Sequence, residues 1–377
     1  MANFKNKVVY QVYPKSFCDS NGDGEGDLKG ITSKLDYLQD LGVELLWSTP
    51  FFPSPQRDNG YDVADYCAVD PRFGTMEDLE ELIAEAAKRN IGLMFDMVFN
   101  HTSTQHEWFR KALAGDKKYQ DYYIFKDGTP DAIPTNWVSK FGGPAWEYVP
   151  SLGKWYLHLF DVTQADLNWE NPEVREELKN VLRFWKKGIQ GFRFDVVNLI
   201  SKPEVFEDDH IGDGRRFYTD GRHVHEFLKE LVADAEIGDM VTEGEMSSTS
   251  LDNCVRYTAP REKELSMVFS FHHLKVDYKD GDKWSLMKPD LKKLKELDVI
   301  SEGRIEFAFR EDDRLLAYRR YTKDQQMLVL CNLTGEDAEL TLPAGWEGAK
   351  VLLTNWDRSA VSGRLTLKPY EALALIM

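Results

Sequence analysis

Two pairs of charged side chains lie two residues apart on apolar, strand-like segments of this chain. The segment GFRFDVVN carries Arg193 and Asp195, and the segment EGEM carries Glu243 and Glu245. Residues two apart in a strand project from the same face, so each pair shares one face of its strand. An arginine beside a carboxyl group favours its ionised form, and an ionised carboxylate can act as a nucleophile. The alternative for Arg193 and Asp195 is an ion pair that only stabilises the interior of the fold.

The second pair offers a proton donor, which can be either of the two glutamates. Gly244 lies between them and allows another group to approach this strand closely. Retaining glycosidases use two carboxyl groups about 5 Å apart, one attacking the anomeric carbon and the other protonating the leaving oxygen. Asp195 and Glu245 on neighbouring strands can meet that requirement. The spacing is therefore compatible with a retaining glycosidase.

A further apolar run, DMVFNH, ends in polar residues. It brings Asp96, Asn100 and His101 to one strand end. Polar groups among buried apolar residues carry a desolvation cost unless they bind a ligand or one another. The motif indicates a site at this strand end but does not specify a reaction.

These charged residues belong to short apolar runs that are each followed by helix-like periodicity, which is typical of parallel strands buried on both faces. The six runs cover residues 8–14, 43–50, 91–100, 191–198, 240–245 and 265–271. The clearest helix between them begins after Thr75, an N-cap with Asp78 three residues later. Repeated βα units predict an α/β fold, a TIM-type (β/α) barrel whose active site lies at the C-terminal mouth. An open doubly wound sheet is the alternative.

The order of the patterns predicts four segments. Residues 1–103 form the first part of the barrel, and residues 104–169 form an inserted subdomain rich in aromatic residues, glycine and proline. Residues 170–297 form the second part of the barrel. Residues 298–377 change to alternating strands separated by Gly, Asp and Asn turns, which predicts a C-terminal antiparallel β domain.

The loop DSNGDGEGD places oxygen-bearing side chains at alternating positions, as a hard cation requires. These candidate metal ligands are Asp19, Asn21, Asp23 and Asp27. The loop lacks the glutamate at position twelve of an EF-hand, and the alternative is an Asx-rich turn without an ion. The prediction is a cation with a structural role.

Charge and hydropathy exclude several classes of partner. The formal net charge of -17 repels polyanions, so nucleic acid is not an expected partner. The N-terminal segment has no apolar stretch long enough for a signal peptide, and no later segment has the length needed to span a bilayer. We therefore expect a cytoplasmic protein without a membrane partner.

Eight segments resemble, in order and spacing, the α-amylase superfamily of glycoside hydrolases, and within it the family of bacterial trehalose-6-phosphate hydrolases. They are YQVYPKSF, NGYDVADY, DMVFNHTS, QADLNWENP, GFRFDVVNLISK, GRRFYTDG, GEMSSTS and FHHLKVDY. The resemblance covers nearly the whole chain. It implies cleavage of trehalose 6-phosphate to glucose and glucose 6-phosphate, with no cofactor required for catalysis and a small-molecule sugar phosphate as the partner.

The resemblance also implies roles for single residues. Asp195 resembles the nucleophile of the family, and Glu245 resembles its general acid/base. Asp62, His101 and Arg193 resemble residues that hold the sugar under attack. Relatives also bind calcium at a loop similar to residues 19–27, whereas they usually have an apolar residue in the place of Glu243.

An acidic protein that accepts an anionic sugar needs local positive charge. Lys275 is the first candidate for binding the 6-phosphate, with help from Arg215, Arg216 or His273. Arginine can bind phosphate through two parallel hydrogen bonds, and lysine can act as a point charge. The alternative is a solvated charged face.

The segment after LKKLKEL differs from the family pattern. Relatives carry a third carboxylate in an Asn-His-Asp motif at the seventh strand, and this motif is absent from the chain. The prediction is an internal deletion that leaves about six of the eight barrel units and that lowers or abolishes activity. Two alternatives follow: an α-glucosidase that resembles oligo-1,6-glucosidases, and a non-catalytic remnant that binds sugar phosphate or a partner.

Overall fold

The structure, a computed structural model, describes residues 7–271, 278–279, 282–286, 305–321 and 326–377. The chain divides into two units, residues 1–270 and residues 271–377. Within the described ranges, no helix is both long and apolar enough to cross a membrane.

The first unit alternates strands and helices. In chain order its elements are β1 (Val9–Val12), α1 (Pro14–Phe17), α2 (Leu28–Ser33), α3 (Leu35–Asp40), β2 (Leu45–Ser48), α4 (Met76–Lys88), β3 (Gly92–Met97), β4 (His101–Ser103), α5 (Glu107–Leu113), α6 (Lys117–Gln120), β5 (Phe125–Asp127), β6 (Trp146–Val149), β7 (Lys154–Leu157), β8 (Gln164–Asp166), α7 (Pro172–Trp185), β9 (Gly191–Phe194), a 3-10 helix (Val197–Leu199), α8 (Arg215–Tyr218), α9 (Val224–Asp234), β10 (Val241–Met246), α10 (Leu251–Tyr257) and β11 (Met267–Ser270).

The central sheet of this unit contains six parallel strands in the order β1-β2-β3-β9-β10-β11. Each of the six predicted apolar runs forms one of these strands. The strands follow one another in chain order, as in a (β/α) barrel, whereas a doubly wound sheet reverses its order at a switch point. The predicted barrel architecture is therefore confirmed, and the alternative of a doubly wound sheet is wrong.

The helix α4 illustrates how the sequence specifies the connections. The backbone nitrogen of Asp78 donates to Thr75 Oγ1 at 3.2 Å, and the backbone nitrogen of Thr75 donates to Asp78 Oδ2 at 2.9 Å. This reciprocal capping box satisfies backbone groups that the first turn leaves unpaired. Leu79 and Leu82 are buried on the face that packs on the core, so α4 returns the chain to β3.

Between β3 and β9 the chain leaves the barrel rhythm, as predicted for an inserted subdomain. The strand β4 pairs with β8, and β5, β7 and β6 form a small antiparallel sheet. Trp137, Trp146 and Leu157 pack in one cluster with Val196 and Tyr218, which follow β9. The excursion is thereby attached to the segment directly behind Asp195.

The second unit consists of antiparallel strands. They are β12 (Tyr278–Lys279), β13 (Asp282–Leu286), β14 (Ile305–Ala308), β15 (Leu315–Tyr321), β16 (Gln326–Asn332), β17 (Ala338–Thr341), β18 (Lys350–Thr354), β19 (Arg364–Leu367) and β20 (Ala372–Ile376). Five of them form a sheet in the order β14-β15-β16-β20-β18. The predicted C-terminal β domain is confirmed, whereas its predicted boundary at 297–298 lies outside the described residues.

Candidate active site

Arg193 lies at the centre of a charged cluster formed by three neighbouring strands. Its Nη1 donates to Asp96 Oδ1 at 2.7 Å and to Asp195 Oδ1 at 2.6 Å, and its Nη2 donates to Glu245 Oε2. The Arg193 side chain is only 3% exposed. Because one planar guanidinium contacts both carboxylates, the side chains of Asp195 and Glu245 point to the same space.

The register of the parallel strands produces this convergence. Arg193 lies level with Asp96 on β3 and with Glu243 on β10. Asp195 follows β9 but stays attached to the sheet, because its backbone nitrogen donates to the Met97 carbonyl oxygen at 3.0 Å. The next residue, Val196, adopts φ 35°, a left-handed conformation that is costly for a β-branched residue. The turn behind Asp195 therefore stores strain, as residues beside functional sites often do.

Aromatic rings enclose the guanidinium. The ring centroids of Trp47, Tyr61 and Phe269 lie 5.0, 5.6 and 5.6 Å from Arg193 Cζ, within the range of cation–π attraction. Trp47 Nε1 and the Tyr61 hydroxyl both donate to Asp96 Oδ2, at 3.1 and 3.0 Å. Asp96 thus holds Arg193 in place, and Arg193 in turn orients the two carboxylates of the predicted catalytic pair.

The environment of Glu245 suits a proton donor. Burial raises its pKa, and the negative charge of Asp195 raises it further against the opposing effect of Arg193. A glutamate with a raised pKa keeps its proton at neutral pH, which a general acid requires.

His101, which is predicted to hold the sugar, lies in a buried polar group, and its sugar contact stays a prediction. His101 is 1% exposed, and its Nε2 lies 3.1 Å from the Tyr61 carbonyl oxygen and 3.0 Å from Gln164 Nε2. Burial lowers the pKa of His101, so the neutral ring is favoured. Gln164 Nε2 also donates to Asp58 Oδ2 at 2.9 Å. Asp58, His101 and Gln164 therefore form a polar group next to Tyr61.

The role that the sequence assigned to Asp62 requires a correction. Asp62 is fully buried and accepts bonds from Ser54 Oγ (2.7 Å) and from the backbone nitrogens of Arg57 (3.0 Å) and Asp58 (3.2 Å). Its carboxylate holds its own loop together. Asp58 instead faces the charged cluster: burial raises its pKa to about 6, and the charge of Asp195 contributes to this rise.

Lys140, a residue that the sequence analysis did not select, reaches the end of β10 from the inserted subdomain. Its Nζ donates to Ser247 Oγ at 3.1 Å and to Ser248 Oγ at 3.2 Å. Ser247 follows Glu245 by two residues, and the positive charge of Lys140 lowers the pKa of Glu245. Lys140 and Ser247 lie 107 residues apart in sequence, so no local motif indicates their contact.

Of the four residues predicted to bind phosphate, the structure describes Arg215 and Arg216. Arg215 Nε pairs with Asp213 Oδ2 at 2.8 Å, and Arg216 Nε pairs with the buried carboxylate of Asp209 at 3.0 Å. Both arginine side chains are half-exposed. Lys275 and His273 lie outside the described residues, so their phosphate contacts stay predictions.

The loop of residues 19–27 uses its side chains within itself. Asp19 accepts from the backbone nitrogens of Asn21 (3.1 Å), Gly22 (2.7 Å) and Gly24 (2.8 Å). Asn21 and Asp23 each accept one backbone N–H, and Asp27 accepts from Gly30 N at 2.6 Å as the N-cap of α2. In the part of the chain that the structure describes, no three His, Cys, Asp or Glu side chains converge as metal ligands. These hydrogen bonds fix the backbone of the loop, and a structural calcium stays a prediction.

The strand end that carries Asn100 is held by a buried lysine. Lys202 Nζ lies 2.7 Å from Asp166 Oδ1 and donates to Asn100 Oδ1 at 2.5 Å. Asn100 Nδ2 also donates to Asp166 at 3.0 Å. Lys202 and Asp166 therefore hold the Asn100 side chain, whose Nδ2 also lies 3.1 Å from His101 Nδ1.

Comparison with known proteins agrees with this architecture. Residues 11–304 match the alpha amylase catalytic domain, and residues 315–373 match the alpha-amylase SusG C-terminal domain. The first match covers more than half of the chain. The chain therefore belongs to the α-amylase family.

Its relatives include several glycoside hydrolases. The chain is 57% identical to trehalose-6-phosphate hydrolase of Escherichia coli (strain K12), over 78% of this chain and 54% of the relative. It is 38% identical to an oligo-1,6-glucosidase of Heyndrickxia coagulans, over 99% of this chain and 70% of the relative. The crystal structure of trehalose-6-phosphate hydrolase from Bacillus licheniformis matches with a TM-score of 0.91 and 35% identity, covering 100% of both chains. The chain spans about half the length of the curated trehalose-6-phosphate hydrolases from Escherichia coli (54%) and Bacillus subtilis (53%).

Proposed function

We propose that this chain is a retaining α-glycoside hydrolase that cleaves trehalose 6-phosphate to glucose and glucose 6-phosphate. The observation that carries this proposal is the contact of one guanidinium with both Asp195 and Glu245. Two carboxyl groups that face one space, one of them with a raised pKa, are the components of the retaining mechanism. The resemblance to trehalose-6-phosphate hydrolases supports the choice of substrate.

In the proposed reaction, Asp195 attacks the anomeric carbon and Glu245 protonates the leaving oxygen. The bond to glucose 6-phosphate breaks, and a glucosyl ester of Asp195 remains. Glu245, now ionised, removes a proton from water, which hydrolyses the ester and releases glucose with retained configuration. Arg193 binds the Asp195 carboxylate, and we expect Asp58 and His101, which both contact Gln164, to hold the sugar.

An oligo-1,6-glucosidase-like activity is the second candidate, because the Heyndrickxia coagulans relative covers nearly the whole of this chain. Both candidates use the same two carboxyl groups and differ in the leaving sugar. A comparison of kcat/KM on trehalose 6-phosphate, trehalose and isomaltose separates them. Preference for isomaltose would contradict the proposal, and the absence of glucose release from all three would favour the non-catalytic alternative that the predicted deletion implies.

Replacement of the catalytic pair tests the assignment of roles. We expect Glu245→Gln to lower kcat/KM on trehalose 6-phosphate by about 10²- to 10⁴-fold, the usual contribution of a general acid. The loss should be much smaller on p-nitrophenyl α-glucoside, whose leaving group needs no proton. Asp195→Asn should abolish turnover of both substrates, because no nucleophile remains. Equal losses for Glu245→Gln on both substrates would contradict its role as the acid.

Lys140 supports an anionic leaving group. Glu245 protonates the leaving oxygen, so the leaving sugar lies on the side of Glu245. Lys140 acts on Glu245 electrostatically and is held by two serine hydroxyls at the end of the same strand. In a chain of net charge -17, such a local cation favours a phosphate at this position.

Loss of the Lys140 charge should therefore reduce the discrimination between phosphorylated and plain sugars. We expect Lys140→Met to lower kcat/KM on trehalose 6-phosphate about 10-fold or more, as loss of a charged hydrogen bond usually does, and to leave kcat/KM on trehalose nearly unchanged. Lys126→Met removes the same charge from a lysine that lies over the Phe206 ring, at 4.4 Å, and serves as the control. An unchanged ratio of the two substrates in Lys140→Met would remove Lys140 from phosphate recognition.

A further inference from the structure

Glu243 and Arg193 lie level with each other on adjacent strands, and each has one buried side-chain atom without a partner. The pairing of β9 with β10 places the two residues side by side. Among the described residues, neither Glu243 Oε2 nor Arg193 Nε has a hydrogen-bond partner, although both atoms are buried. An unpaired buried acceptor and an unpaired buried donor are each costly, and a hydrogen bond between the two would remove both costs.

The surroundings of Glu243 contain more acids than bases. The ionisable groups that face this cluster are Asp96 of β3, Tyr61 before it, Arg193 and Asp195 of β9 and the turn behind it, Glu245 of β10, and Lys140 beside Glu245. The residues of β11 next to Glu243 and Glu245 are Met267 and Phe269, which carry no charge. Three carboxyl groups bind Arg193, and Glu243 lies beside it on the neighbouring strand, so ionisation of all four would bring mutual repulsion.

We propose that Glu243 is a positioning residue which, when ionised, accepts the Nε–H of Arg193 and thereby shares the guanidinium that otherwise binds Glu245. Glu243 lies two residues before Glu245, on the same face of β10, at a distance of about 7 Å along the strand. An ionised Glu243 thus acts on Glu245 in two ways, through its own charge and through Arg193. Both effects help Glu245 to keep its proton. This inference rests on the proposed function, because the proton on Glu245 matters for a general acid.

The direction of the effect follows from the charges. Burial raises the pKa of Glu243 to about 7, so its ionisation takes place near neutral pH. As Glu243 loses its proton, the ionised form of Glu245 becomes less favourable, and the pKa of Glu245 rises. Glu245 therefore stays protonated up to a higher pH than it would if residue 243 were neutral.

Titration of Glu245 in protein labelled with [δ-13C]glutamate measures this coupling without any substrate. The Glu243→Gln and Glu245→Gln variants assign the two resonances. We expect Glu243→Gln to lower the titration midpoint of Glu245 by about one pH unit, the shift of two charges about 7 Å apart in a partly buried site. Glu226→Gln, which removes an exposed negative charge from α9, is the matched control and should not move the midpoint.

A second variant separates the two effects. Glu243→Asp keeps the charge but withdraws the carboxylate from Arg193 Nε by one methylene, so we expect a midpoint between those of wild type and Glu243→Gln. An unchanged midpoint in Glu243→Gln would overturn the proposal, and a wild-type midpoint in Glu243→Asp would overturn the role of the Nε hydrogen bond. In kinetic assays the alkaline limb of kcat/KM should move to lower pH in Glu243→Gln. Absence of hydrolysis by the wild type would refute the proposed function, whereas the NMR titration would still decide on Glu243.

Discussion

Asp58 and Asp62 carry the same side chain within one short loop but have different surroundings. Asp62 accepts three hydrogen bonds from its own loop, whereas Asp58 accepts one from Gln164 and is close enough to Asp195 for their charges to repel. The sequence motif contains both aspartates but does not show where either side chain points. At the scale of single residues, the hydrogen bonds of each carboxylate distinguish Asp62, which stabilises its loop, from Asp58, which is a candidate sugar ligand.

Replacement of each aspartate by alanine should give opposite results. We expect Asp58→Ala to lower kcat/KM about 10- to 100-fold, since a hydrogen bond to a charged group contributes about 1.5–3 kcal/mol, with little change in Tm. Asp62→Ala should cost about 1–3 kcal/mol of the free energy of unfolding for each donor left unpaired. Thermal unfolding and kinetics on both variants check this, and a stable but inactive Asp62→Ala variant would restore the sequence-based assignment.

At the scale of elements, the loop between α1 and α2 offers a clear test for calcium. An ion that binds only the folded state stabilises it, by about 2.7 kcal/mol at one hundred times its dissociation constant. If the predicted site forms, millimolar Ca²⁺ should raise the Tm and EDTA should lower it. Asp23→Ala should abolish this difference. Its Tm in EDTA should stay near that of the wild type because, among the described residues, the Asp23 carboxylate accepts a single hydrogen bond, from the backbone nitrogen of Glu25.

Asp27→Ala is the control for that experiment. Asp27 caps α2 and also accepts from Ser20, so its loss should lower the Tm with or without the ion. Equal Tm values of the wild type in Ca²⁺ and in EDTA would contradict the predicted calcium site. The acidic side chains would then serve only to hold the loop backbone by hydrogen bonds.

The elements differ in how far the sequence alone predicts them. Parallel strands buried on both faces are continuous apolar runs, so the six strands were predictable, and Asp195 and Glu245 followed from their positions at strand ends. Gln164 and Lys140 contact the site from the inserted subdomain, where folding depends on aromatic packing rather than on a periodic pattern. Their roles require the path of the chain in three dimensions, which no local motif contains.

For the whole molecule, the chain order of the central sheet affects how the site assembles. Most neighbouring strands are also close in sequence, but Asp96 and Arg193 are joined across 97 residues. Closure of such a long segment is slow compared with local pairing, because the chain loses conformational entropy before the contact between the two residues stabilises it. We therefore expect β1 to β3 to pair before Arg193 reaches Asp96, because the inserted subdomain separates these two residues in sequence. Substitutions that destabilise the inserted subdomain should therefore slow the assembly of the active site without preventing the pairing of β1 to β3.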